Sequence, residues 1–357
     1  MTKRPFEIRD DLAALPPYRA PQADAPVRLN TNESPYPPPD AVIKELRERV
    51  ADLALNRYPD RDATALRAAL GARFSWPGTG VWPANGSNEV IQTVLLAFGG
   101  SGRRALLFEP TYAMHSHIAH VTGTEVVAVR VPEPWVLSPS LVAHHVERVQ
   151  PALTFICSPN NPTGTAQPVA AVAAALESGP GIVLADEAYG EFGGDSATSL
   201  LGRHERLGVV RSFSKSWRLA GARLGYLLAH PWLVEAIQVT RLPYHLSALS
   251  QACAEIAVKH APQSLSAINE LIAERERLAK EMERVPGVEV FPSAANFLLF
   301  RTASEGTPLW RALAAGGVLV RDFSTLIPRC LRVTVGTADQ NATFVETLRR
   351  VLADAGA

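Results

Sequence analysis

Six short apolar runs alternate with helix-patterned segments through the first two thirds of the chain, and this alternation restricts the fold more than any other feature. The runs cover residues 105–108, 125–131, 153–157, 182–185, 209–213 and 224–229. Continuous apolar stretches of this length, bounded by turn residues, read as strands buried on both faces. Strands separated by helices imply a mostly parallel sheet in an α/β layer fold. Helices are expected at about 40–53, 63–74 and 90–98, the last opened by Asn85-Gly86-Ser87-Asn88-Glu89 with Ser87 or Asn88 as cap. After about residue 244 the pattern changes. A long charged helix over 262–285 precedes apolar runs at 288–291, 296–300, 318–321 and 331–335, which reads as a smaller α+β unit.

The chain has 357 residues, too many for one ordinary core. The expected division is an N-terminal arm over 1–39, a large domain over 40–245 and a small domain over 246–357. Pro16, Pro17, Pro21, Pro26, Pro35, Pro37, Pro38 and Pro39 rule out a long helix in the arm. Its natural form is extended, packed on the small domain or a partner subunit. Formal net charge is zero, so no basic surplus exists to attract nucleic acid or an anionic membrane. No signal-peptide core, no membrane-length apolar stretch and three cysteines that cannot all pair suggest a cytoplasmic protein.

Ligands of a parallel sheet bind beyond the carboxyl ends of its strands. Here four runs lead into distinctive residues: Glu109-Pro110-Thr111-Tyr112, Ser158 through Asn160-Asn161-Pro162 to Gly164, Asp186-Glu187-Ala188-Tyr189, and Ser214-Lys215. Taken singly, each has a bland reading as a loop lysine, a helix cap, a packed tyrosine or a turn. Together they present two tyrosines, an asparagine, an aspartate and a lysine along one sheet edge. His115, His117 and His120 are not read as a metal site, because His115 and His117 point to different helix faces and no acidic or Cys partner lies beside them.

In these motifs the chain resembles fold-type I pyridoxal-5′-phosphate (PLP) enzymes, and closely the histidinol-phosphate aminotransferases. The resemblance runs from 28–36 through Asn56-Arg57-Tyr58-Pro59-Asp60, 85–89, 158–164, 186–189 and 212–225 to 331–337. It implies a Schiff base on Lys215, with Asp186 facing the pyridine nitrogen, Tyr189 and Asn161 on the ring oxygen, and Tyr112 stacked on the ring. It implies a phosphate held by Gly86, Ser87, Ser212, Ser214 and Arg223, with Asn88 beside them where the family often has Asp. Arg332 would clamp the substrate carboxylate, which suits a bidentate guanidinium, and Tyr18, Asn32 and Arg321 would lie on the substrate side. Tyr58 would reach the neighbouring subunit's site, so a homodimer is expected. The implied substrates are a small amino donor and a keto acid, namely L-histidinol phosphate and 2-oxoglutarate. An aromatic-amino-acid aminotransferase and a phosphothreonine-type decarboxylase are the alternatives on this scaffold. A PLP-binding regulator is disfavoured, because the motifs begin too early to leave room for a DNA-binding domain. Arg218 departs from the family; a solvated side chain is its expected state, and an inward one would affect substrate preference.

Overall fold

The computed structural model describes residues 8–13, 15 and 25–355. Seven strands form the main sheet: β1 (Val81–Ala84), β2 (Arg104–Glu109), β3 (Glu125–Arg130), β4 (Leu153–Cys157), β5 (Ile182–Asp186), β6 (Leu207–Ser212) and β7 (Gly225–Ala229). Their order across the sheet is β1-β7-β6-β5-β4-β2-β3. Strands β3, β2, β4, β5 and β6 are parallel to one another, and β7 runs antiparallel to both β6 and β1. The sheet is therefore mixed but mostly parallel. Strand β1 has no apolar alternation and contains Pro83, which an edge strand tolerates.

Every residue of β4, β5 and β6 is buried. One face packs Leu106, Ile156, Val183 and Val209 under helices, and the other packs Leu107, Phe155, Leu184 and Val210. Side chains of this size contribute about 1.5–3 kcal/mol each when fully buried. Cys157 lies beside Asp186, and Asp186 beside Val210, so the carboxyl ends of β4, β5 and β6 form one row.

Arg211, within the expected apolar run 209–213, is buried. It pairs with Glu187 at 2.6 Å and Glu191 at 3.1 Å. Ser196 and Ser216 join the same network. The network ties the residue after Asp186 to the residue after Lys215.

Beyond residue 246 an antiparallel sheet runs in the order Arg321–Asp322, Cys330–Thr334, Phe297–Thr302, Val288–Val290. The expected single run at 318–321 is split. Val318–Leu319 pairs in parallel with Val27–Arg28 of the arm, while Arg321–Asp322 joins the four-stranded sheet. Leu29 follows the paired arm residues into a core with Leu298, Val333 and Phe344. The expected helix over 262–285 is broken into Ala261–Ser264 and Ile268–Glu283. No described helix is long and apolar enough to cross a membrane.

Candidate active site

The row of strand ends opens into a cleft of about 450 Å³. Its lining brings together Ser87, Asn88, Tyr112, Asn161, Asp186, Tyr189, Ser212, Ser214, Lys215 and Arg223 with Asn32, Arg321 and Arg332. The lysine amine donates to the Thr31 carbonyl at 2.9 Å. Its pKa is lowered to about 8, first by burial and then by the charge of Arg332, with Arg223 adding and Glu33 opposing.

Asp186 ends β5, buried. One carboxylate oxygen accepts from Ala188 N at 3.1 Å, and the other lies 2.9 Å from His115 Nε2. His115 is fully buried, stacked on Phe155 at 4.8 Å and edge-on to Tyr112 at 5.4 Å. The sequence reading missed His115, because its partner lies 71 residues away. The available signal was its position three residues past Tyr112 at a helix start, which places both on one face.

The two adjacent asparagines are used differently. Asn160 holds the loop together through Thr111, Thr163 and the Pro110 carbonyl. Asn161 points into the cleft, where its side-chain oxygen accepts from Arg332. Arg332 also donates to the Asn30 carbonyl at 2.9 Å and lies about 5 Å from the rings of Phe297 and Phe323. Tyr189 is buried; burial pushes its phenol up to about 12.

The opposite wall is an anion cradle. The helix Ser87–Phe98 starts at Gly86 (φ +87°), and no side chain caps it, contrary to the expected Ser87 or Asn88 cap. Its first amides are thereby left to a ligand of the kind that helix N-termini bind. A Cβ at residue 86 would stand 3.0 Å from the Arg223 guanidinium, and the positive φ there is itself a conformation that favours glycine. Ser212 and Ser214, linked at 3.1 Å, complete the wall. Asn88 accepts from the Tyr112 hydroxyl at 3.2 Å. The donor set of this wall fits a phosphate. The carboxylate, amide, phenol and amine opposite fit a pyridine ring bearing a hydroxyl and an aldehyde.

Two expected residues stand apart. Tyr18 lies outside the described residues. Tyr58 is 79% exposed, stacked on Tyr244 at 4.4 Å, and does not line this cleft. Arg218 is neither in the cleft nor simply solvated. It donates to the Pro37 carbonyl, the Gln263 carbonyl and Ser266 Oγ, the last at 2.8 Å.

The model of the class I and II aminotransferases matches residues 25–348. The chain is 47% identical over 361 residues to a histidinol-phosphate aminotransferase of Frankia casuarinae, covering 97% of this chain and 90% of that one. It is 46% identical to the Thermobifida fusca histidinol-phosphate aminotransferase, covering 96% and 94%. Among solved structures, histidinol-phosphate aminotransferase from Sinorhizobium meliloti in complex with pyridoxal-5′-phosphate superposes with a TM-score of 0.85 at 21% identity, covering 93% of this chain and 92% of that one.

Proposed function

The chain belongs to the class I and II aminotransferases, and on that premise we propose that it transfers the amino group of L-histidinol phosphate to 2-oxoglutarate, a step of histidine biosynthesis. The cofactor is pyridoxal 5′-phosphate, which supplies the aldehyde that takes up the amino group and the ring that accepts electrons from the substrate carbon. The observation that carries this reading is the convergence of Lys215, Asp186, Asn161 and Tyr189 in one cleft with the Gly86–Arg223 cradle on its far wall.

Lys215 would hold the cofactor and move the proton at the substrate carbon, a task for which a lowered amine pKa suits it. Asp186, held by His115, would face the ring nitrogen and keep it protonated. Tyr189 and Asn161 would hold the ring oxygen, and Tyr112 would cover the ring face. Gly86, Ser87, Asn88, Ser212, Ser214 and Arg223 take the phosphate. Arg332 and Arg321 receive the anionic group of the amino donor or keto acid; Arg332 is the geometrically prepared one, being fixed by Asn30 and two aromatic rings.

The working unit is a homodimer in which Tyr58 serves the partner's site. Exposed apolar side chains support this: Leu55, Val239 and Leu242 are 64%, 90% and 73% exposed. Their segments are joined by the Tyr58–Tyr244 stack and by a hydrogen bond from Arg241 to Arg61. The enzyme works in the cytoplasm, where buried thiols such as Cys157, Cys253 and Cys330 stay reduced.

Steady-state kinetics test the substrate. With glutamate as donor, kcat/KM for imidazole-acetol phosphate is expected to exceed that for phenylpyruvate by at least about 10–100-fold, the value of one hydrogen-bonded charged group. Equal values would support an aromatic-amino-acid aminotransferase instead. Release of CO₂ from an amino donor without any keto acid would support a decarboxylase.

A further inference from the structure

The arm residue Asn32 is buried and is bonded to Tyr189, Thr334 and Asn296. Its side-chain nitrogen stands 2.9 Å from Tyr189 Oη, and its side-chain oxygen 3.0 Å from the Thr334 hydroxyl. That hydroxyl also accepts from Asn32 N at 3.0 Å. Asn296 donates to the Asn32 carbonyl at 3.1 Å. The backbone at Asn32 has φ +55°, a left-handed conformation that Asn tolerates better than most residues.

Satisfaction of these groups fixes the direction of the chain of bonds. With the amide nitrogen toward Tyr189, the Thr334 hydrogen goes to the amide oxygen, and the Tyr189 oxygen accepts. Its phenolic hydrogen then points to the cleft. With the amide flipped, both Asn32 nitrogens would donate to Thr334. The Thr334 hydrogen would then lose its one acceptor among the described residues, and the Tyr189 hydrogen would be used up on Asn32. Buried donors find acceptors, so the first arrangement holds.

We propose that Asn32 and Thr334 are positioning residues that set the direction of the Tyr189 hydroxyl, so that its hydrogen is presented to the ring oxygen of the cofactor. This rests on the reading of the cleft as a pyridoxal-phosphate site. A hydrogen donated to that oxygen weakens the oxygen's hold on the neighbouring proton. The pH at which the bound cofactor's visible absorbance changes is lowered accordingly. The arm and the strand Cys330–Thr334 thereby tune the cofactor without touching it.

The test is a pH titration of that absorbance in purified holoprotein, with thermal stability measured alongside. Thr334→Val releases the amide without adding charge and is expected to move the transition to higher pH. Thr334→Ser keeps the hydroxyl and is expected to titrate like wild type. Asn32→Asp, whose carboxylate accepts from both hydroxyls, is expected to move the transition furthest, by about one pH unit or more. A lowered melting temperature with an unmoved transition in Thr334→Val would mean a merely structural role and overturn the proposal. Should Asn32→Asp fail to fold, the Thr334 pair decides. A wild-type protein that shows no cofactor band overturns the underlying reading instead, so the two failures are told apart.

Discussion

Lys215 illustrates how much one residue depends on neighbours that are remote in sequence. An exposed lysine would titrate near 10.5, whereas burial and the charge of Arg332 bring this amine to about 8. Only the neutral amine attacks an aldehyde, so attachment of pyridoxal 5′-phosphate to cofactor-free protein should speed up through a midpoint near pH 8. An ordinary lysine would go on accelerating to about 10.5. Rapid-mixing absorbance measures this, and a midpoint above pH 10 would contradict the geometry. His115 is the second case. His115→Phe keeps the stack on Phe155 but deletes the bond to Asp186. A hydrogen bond to a charged group contributes about 1.5–3 kcal/mol, so cofactor affinity should fall about 10–100-fold in a binding titration. An unchanged Kd would show that Asp186 holds its position alone. Lys215, Asp186 and Asn161 were legible because each lies just beyond an apolar run. His115 and the separate uses of Asn160 and Asn161 were not, because they depend on contacts across the sheet.

Among the elements, the apolar runs marked β2 to β7 to within a residue or two; β2 and β4 to β7 are buried as such runs imply, whereas β3, at the sheet edge, is only half-buried and alternates with exposed residues, contrary to the expectation of burial on both faces. What the runs concealed was direction and charge. Strand β7 looks like its parallel neighbours in composition, and its antiparallel direction follows from a connection through residues 213–224 that holds only a short turn at Ala220–Ala222 and no crossover helix. Arg211 was hidden inside an apolar run because its partners, Glu187 and Glu191, come from the next loop. Arg211→Met would strand two carboxylates beneath the site. Such a change typically costs about 3–5 kcal/mol, and urea unfolding should register it. Adding Glu187→Gln and Glu191→Gln should recover most of that loss. No recovery would mean that Arg211 acts through packing on Phe74, over whose ring its guanidinium lies. Arg218, expected in solvent, instead bridges Pro37 of the arm and the turn holding Gln263 and Ser266 from a left-handed backbone position (φ +61°).

At the scale of the whole molecule, the arm reaches both functional regions, with Val27–Arg28 on Val318–Leu319 and Thr31 on Lys215. A sequence shows such a segment as proline-rich and extended, but not what it lies on. The surface around Tyr58 and Tyr244 predicts a species of twice the 38.5 kDa chain mass in light scattering. Leu242→Asp should shift it toward monomer and lower activity with it. A fully active monomer would contradict the role given to Tyr58. The role of Lys215 is tested by the absorbance spectrum of the purified holoprotein during addition of L-histidinol phosphate without a keto acid. A visible cofactor band is expected to bleach on addition and return with 2-oxoglutarate, and Lys215→Ala is expected to abolish the cycle. A band untouched by the amino donor, or a Lys215→Ala variant that still turns over at the wild-type rate, would contradict it.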